Sequence, residues 1–155
     1  MPAKVFISYS TKDLASATRA KRVLEAAGHS AYVAEYNASA GVRLADDIKV
    51  NIELSDVFVV IWSTNAKNSD WVTQEVGIAE SRGKIIVPIV LEQDLAPTGF
   101  ISDRKYVMAY DDLEKGIAQL RAIVDDAVKK KEEELGRAIV TLAALALLLT
   151  AIASK

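Results

Sequence analysis

Val57–Trp62, VFVVIW, is the most continuously apolar short run in the first two thirds of the chain, and it shows no polar alternation. A strand of this kind has no wet face, which places it in the middle of a parallel sheet covered on both sides. Ser63, Thr64 and Asn65 end it, and Asn68, Ser69 and Asp70 then supply candidate N-caps for a helix reaching Ser81. On that helix Val72, Val76 and Ala79 form a face that packs on a sheet. Trp71 and Glu75, four residues apart, are expected to project into one space.

The pattern repeats outward from this unit. Upstream, Lys4–Ser8 (KVFIS) reads as a buried strand followed by polar Tyr9 to Asp13, and Leu14 to Ala27 has helical spacing closed by Gly28. Ser30 to Ala34 is a second strand, Glu35 to Val42 a loop, and Arg43 to Leu54 a helix. Downstream, Gly83 leads into Lys84 to Leu91, KIIVPIVL, a buried strand in which Pro88 suggests a break or an edge position. Pro97 and Gly99 mark a loop, Lys105 to Ala109 is a weaker fifth strand, and Asp111 or Asp112 caps a helix from Leu113 to about Lys131. Five strands alternating with helices predict an α/β fold with a doubly wound parallel sheet. Ligands of such sheets bind at the carboxyl ends of the strands, near the switch point. That edge gathers Tyr9 to Asp13, Glu35 to Arg43, Ser63 to Asn65 and the start of the Trp71 helix.

Composition narrows the chemistry. The chain has 155 residues, no Cys and one His, so disulfides, thiolate zinc sites, Cys nucleophiles and most His-based acid–base schemes are excluded. Its formal net charge of −2, with acids and bases interspersed, gives no footprint for nucleic acid. No GxGxxG or Walker loop is present. The opening MPAKVFISYS lacks the regions of a signal peptide, which predicts a cytosolic protein.

Ala138 to Ala153, AIVTLAALALLLTAIA, follows the charged stretch KKKEEELGR and is apolar all round. At about 1.5 Å per residue it reaches ~24 Å, short of the roughly 20 residues that span a bilayer. Two readings stand: an anchor on the cytoplasmic face of a membrane, or an association helix that buries itself among copies of the chain. The expected division is residues 1–130 as a domain and 131–155 as an apolar helix.

Ordered segments across Ala3 to Lys129 resemble the TIR (Toll/interleukin-1 receptor) domain. They are KVFISYS, EYNASAG after the second strand, VFVVIWS, SDWVTQE and GKIIVPIVL. The chain is most similar to the enzymatic TIR domains of bacteria, archaea, plant immune receptors and the animal axon-degeneration NADase. In those a glutamate on the helix after the third strand is essential for NAD+ cleavage; Glu75 matches it, and Trp71 matches the aromatic position. The resemblance implies a flavodoxin-like fold, activity dependent on self-association, and composite sites between neighbouring subunits. Two features depart from the family pattern: Glu35 stands where many relatives have Asp, and no family motif covers the apolar tail.

The function implied by this resemblance is that of an NAD+ glycohydrolase or cyclase, with nicotinamide and ADP-ribose or a cyclic isomer as products and no metal or second cofactor. A role in prokaryotic immunity is implied in the same way. The alternative is a non-enzymatic scaffold that binds other TIR domains. Glu75 is the expected catalytic carboxylate, stabilising positive charge on the ribose or holding its hydroxyls. Trp71 either stacks on a dinucleotide ring or lids the core. Ser8 and Tyr9 are expected beside the nicotinamide, Ser10 lines the site or caps the next helix, and Asp13 is expected to cap. Tyr36 and Arg43 bracket the loop, with Arg43 a candidate for phosphate. His29 is expected to be exposed or in contact with a helix dipole, without a role in catalysis.

Overall fold

The computed structural model describes residues 1–34 and 42–153, apart from the side chains of 42–45. Five parallel strands lie in the order β2-β1-β3-β4-β5: β1 Lys4–Ser8, β2 Ser30–Val33, β3 Val57–Trp62, β4 Ile85–Val90 and β5 Val107–Met108. This is the doubly wound, flavodoxin-like order, with its switch point between β1 and β3. All six residues of β3 are buried, as its unbroken apolarity requires.

Alternation along the strands sorts the core into two layers. Val5, Ile7, Val57, Val59 and Ile61 face α1 (Leu14–Ala26) and the start of α5 (Leu113–Ala153). Phe6, Phe58, Val60 and Trp62 face α2 (Val42–Leu54), α3 (Thr64–Lys67) and α4 (Asp70–Ser81). In the second layer the register pairs Phe6 with both Tyr32 and Phe58. The Phe6 and Phe58 rings stack at 5.4 Å, and Tyr32 lies tilted at 5.4 Å on the other side of Phe6.

α1 and α4 end in the same way. Gly28 (φ +89) and Gly83 (φ +61) take the left-handed conformation. The amides of His29 and Lys84 then reach back to Leu24 and Ala79, each at about 3 Å. Gly116 is needed for contact, since a Cβ there would lie 2.6 Å from that of Ala109, where α5 crosses the end of β5.

Three expectations are corrected. Pro88 sits inside β4, between β3 and β5, and not at an edge or break. Alternate residues of a parallel strand bond to opposite neighbours. Leu91 donates to Trp62 of β3 while Val90 accepts from Ala109, so Pro88 turns its nitrogen to the β5 side. That ladder begins only at Ile89, and no donor is missed.

The helix expected to end near Lys131 runs on without interruption as the 41-residue α5. Residues 129–137 are mostly strong helix formers, and the lone Gly136 costs only about 1 kcal/mol. The division expected between 130 and 131 thus falls inside one helix. Third, His29 is not exposed: its side chain is 6% accessible, its Nδ1 accepts from the Ala3 amide at 3.1 Å and its Nε2 meets Asp125 at 2.8 Å.

Asp56, just before β3, fastens α5 to the amino edge of the sheet. It accepts from the Lys4 amide at 2.9 Å and from the Lys131 ammonium. Burial alone pushes its carboxyl up, but these hydrogen bonds, with the charges of Lys131 and Lys84, bring it below the ordinary value. A depressed carboxylate contributes stability that is complete above its unfolded pKa, about 3.9, and is lost as pH falls through the lower folded value. Asp56→Asn is therefore expected to cost roughly 0.5–1 kcal/mol at pH 7, discounted for solvent screening. The loss should shrink as the pH is taken below about 3.9; urea titrations at pH 7 and pH 3 measure it, and an equal loss at both would remove the ion pair from the account.

Candidate active site

α4 sets the site. Ser69 is its N-cap, its hydroxyl accepting from the Val72 amide at 3.4 Å. Val72, Val76 and Ala79 press the helix onto Phe58, Val60 and Trp62. The same docking drives Glu75, one turn below Trp71, into the interior at the carboxyl end of β1, with 1% of its surface accessible. There the hydroxyl of Ser8, itself wholly buried, donates to Glu75 Oε2 at 2.5 Å. A buried carboxyl group is tolerated only where partners compensate for lost water, and the short bond from Ser8 supplies one.

Trp71, in the first turn of α4, is 48% exposed, so the expected shared face divides between an open rim and a sealed floor. Tyr9 is buried and turns the other way, donating to the Ala34 carbonyl at 2.7 Å. Ser10 makes no side-chain cap; its carbonyl accepts from the Asp13 amide at 2.7 Å and opens the turn Thr11–Asp13. Tyr36 lies outside the described residues. Arg43 falls in the first turn of α2, and its side chain is outside them too.

Asp13 corrects the capping expectation. Its carboxylate does not cap α1 but accepts from Ser63 at 2.5 Å and from Asn65 at 3.4 Å. It joins the loop after β1 to the loop after β3, across the switch point. Ser63 in turn caps the short α3 by accepting from the Ala66 amide at 3.0 Å. Glu92, after β4, takes the Thr64 amide at 2.7 Å and its hydroxyl at 2.6 Å, and these bonds hold its carboxyl below the usual value. The sequence places both Asp13 and Ser63 to Asn65 at this edge but shows neither their pairing nor Glu92, because these contacts join distant segments. Among the described residues no group of His, Cys, Asp and Glu is placed to hold a metal ion. A cleft of about 410 Å³ lies at the opposite, amino edge, bordered by Asp56, Lys84 and Lys131, away from Glu75.

Residues 5–123 match the TIR domain model. The chain belongs to the TIR domain family. The TIR domain of the Toll-related receptor TRR-2 from Hydra magnipapillata superposes with a TM-score of 0.65 at 22% identity, over 81% of this chain and 98% of that one. The TIR domains of the activated Roq1 resistosome, which directly recognises the pathogen effector XopQ, give 0.64 at 16% identity, over 79% and 99%. A CMP N-glycosidase of Clostridium botulinum, BcmB, gives 0.52 at 18% identity, over 75% and 96%. At these identities the likeness is one of fold. No match is found among curated proteins.

The Ser8–Glu75 bond predicts coupling. Ser8→Ala should cost about 1.5–3 kcal/mol with Glu75 present, and under about 0.5 kcal/mol once Glu75 is replaced by Leu. Denaturation of the four proteins in a cycle measures this; equal losses in both backgrounds would mean the two side chains do not act together.

Proposed function

We propose that this TIR domain cleaves NAD+ between nicotinamide and ribose, as a glycohydrolase or cyclase. The observation that carries the reading is Glu75, a carboxylate buried at the carboxyl edge of β1 with a hydroxyl donor held against it. Most glutamates are solvated, so one sealed at the ligand-binding edge of a doubly wound sheet is best explained by chemistry. As the C1′–N bond breaks, its electron pair leaves with the pyridinium nitrogen and neutralises it. The ribose becomes oxocarbenium-like. Glu75 stabilises that charge or holds the ribose hydroxyls, exchanging the Ser8 hydroxyl for those of the sugar. Water adding to C1′ and losing a proton gives ADP-ribose; an adenine nitrogen adding there gives a cyclic isomer.

Asp13 and Glu92 share this edge with Glu75 and favour a cationic ring over a second anion. Trp71, half exposed above Glu75, is the stacking surface for a dinucleotide ring. Ser8, Ser10, Tyr36 and Arg43 complete the proposed substrate contacts, and Tyr9 joins them once its hydroxyl leaves the Ala34 carbonyl. NAD+ is the substrate, and neither metal nor second cofactor takes part. That a nucleotide N-glycosidase shares the fold supports this class of bond cleavage. Glu75 is closed to solvent, so substrate entry requires a rearrangement around it. Self-association through TIR faces is the proposed trigger, supported by the presence of TIR domains in an activated resistosome. A place in prokaryotic immune signalling goes with that reading.

The same sealing favours a second reading, a non-enzymatic scaffold acting by homotypic contact, in which Ser8 and Glu75 only lock α4 to β1. Nicotinamide release from NAD+ by concentrated protein decides between them. Release is expected to rise faster than linearly with protein concentration and to fall at least about 100-fold in Glu75→Gln, a loss typical of removing a group that acts in the transition state. The second product, identified by mass and retention time, separates hydrolase from cyclase. Absence of release from folded, assembled protein would leave the scaffold.

A further inference from the structure

We propose that the apolar end of α5 inserts into a lipid bilayer, with the amino edge of the sheet resting at the headgroups. α5 packs on the domain through Gly116, Ile117, Leu120 and Val124, then continues as the same helix into residues 138–153, all of them exposed. Its direction is fixed. It starts beside the carboxyl end of β5, runs antiparallel to the strands, and passes Asp56 at the amino edge before it leaves the domain.

Three features select lipid over a second copy of the chain. The first is the absence of a polar stripe. At 100° per residue, Thr141 and Thr150, the only polar side chains between 138 and 153, fall on opposite faces of the helix. A bundle in water needs an outward polar face on each helix, and this stretch has none.

Second, neither threonine carries an unmet donor into the apolar zone. Thr141 donates to the Arg137 carbonyl at 2.9 Å and Thr150 to the Leu147 carbonyl at 2.8 Å. Hydrocarbon demands this internal satisfaction; water does not.

The third is charge. Where α5 leaves the domain, Arg82, Lys84, Lys130 and Lys131 gather at the cleft of the amino edge, with Arg82 paired to Glu53, Lys130 to Asp126 and Lys131 to Asp56. Basic side chains at the point where an apolar helix leaves its domain suit the headgroup level. Between Lys131 and Ala138 the helix rises about 10 Å, enough to cross a headgroup layer. The uncharged stretch beyond is ~24 Å long, and Arg137 can extend it by reaching outward to the interface.

The test uses the full chain, synthesised in the presence of vesicles of phosphatidylethanolamine and phosphatidylglycerol and floated on a density gradient after washes in high salt and alkaline carbonate. Leu142, Leu145, Leu149 and Ile152 form a seam at spacings of three and four, while Leu147 lies roughly 160° around the helix from Leu145. The wild type is expected to float. Leu145→Lys and Leu147→Lys should each reduce the floating fraction at least about tenfold, because lipid surrounds both faces at mid-depth. Intrinsic tryptophan fluorescence, from Trp62 and Trp71 in the distant domain, reports that each variant is folded. Loss confined to Leu145→Lys, or wild type recovered as a soluble oligomer without detergent, would overturn the proposal in favour of pairing between copies. Flotation unaffected by either lysine would also overturn it, as peripheral binding.

Discussion

A parallel sheet covered by helices on both sides has no surface on which a polar side chain can meet water. The pairing of β1 with β3 at the centre of this sheet imposes that condition on everything around it. Val5, Ile7, Val57 and Val59 fill one layer, while the stacked rings of Phe6 and Phe58 fill the other. Polar chemistry is displaced to the strand ends. Ser8, Ser10 and Ser63 are buried at the carboxyl edge, and Ser55 at the amino edge. The location of the site is set by the packing of the core.

Glu75 is the side chain for which that condition is most severe. Four residues after Trp71 on a helix whose apolar face must lie against β3, it enters the layer that carries Val72 and Val76. Placing Ser8 at the last position of β1, on the same face as Phe6, supplies the donor. A few apolar contacts thus hold an ionisable group in place. Asp13, through Ser63 and Asn65, fixes the two loops on either side of the switch point, so the rim is tied down independently of the floor.

The strands and helices were largely legible because each has a local signal: unbroken apolarity in VFVVIW, caps at Ser69, glycine stops at Gly28 and Gly83. Pro88 misled because the rule against proline in a strand assumes a partner on both sides, and β5 is too short to supply one there. The four-residue α3 was missed because it is too short for a periodic signal and is held by Ser63 and Glu92. The helix that carries Trp71 and Glu75 was legible through its cap and spacing, and the different exposure of the two side chains was not, since it depends on where α4 meets the sheet. The redirection of Asp13 from cap to loop clasp was equally invisible, because its partners are some 50 residues away. The expectations at Tyr36 and for the side chain of Arg43 fall outside the described residues.

The unbroken course of α5 also limits symmetry. Because the helix leaves from the amino edge, whatever grips its far end determines which way the Glu75 edge looks. Copies gripped alike within one layer are related by rotation about the normal to that layer, or by translation within it. With the proposed insertion into one bilayer, two-fold axes lying in its plane are excluded, and two carboxyl edges then do not meet face to face. Rings and side-by-side rows remain, in which the flank of one domain stands beside the open edge of the next.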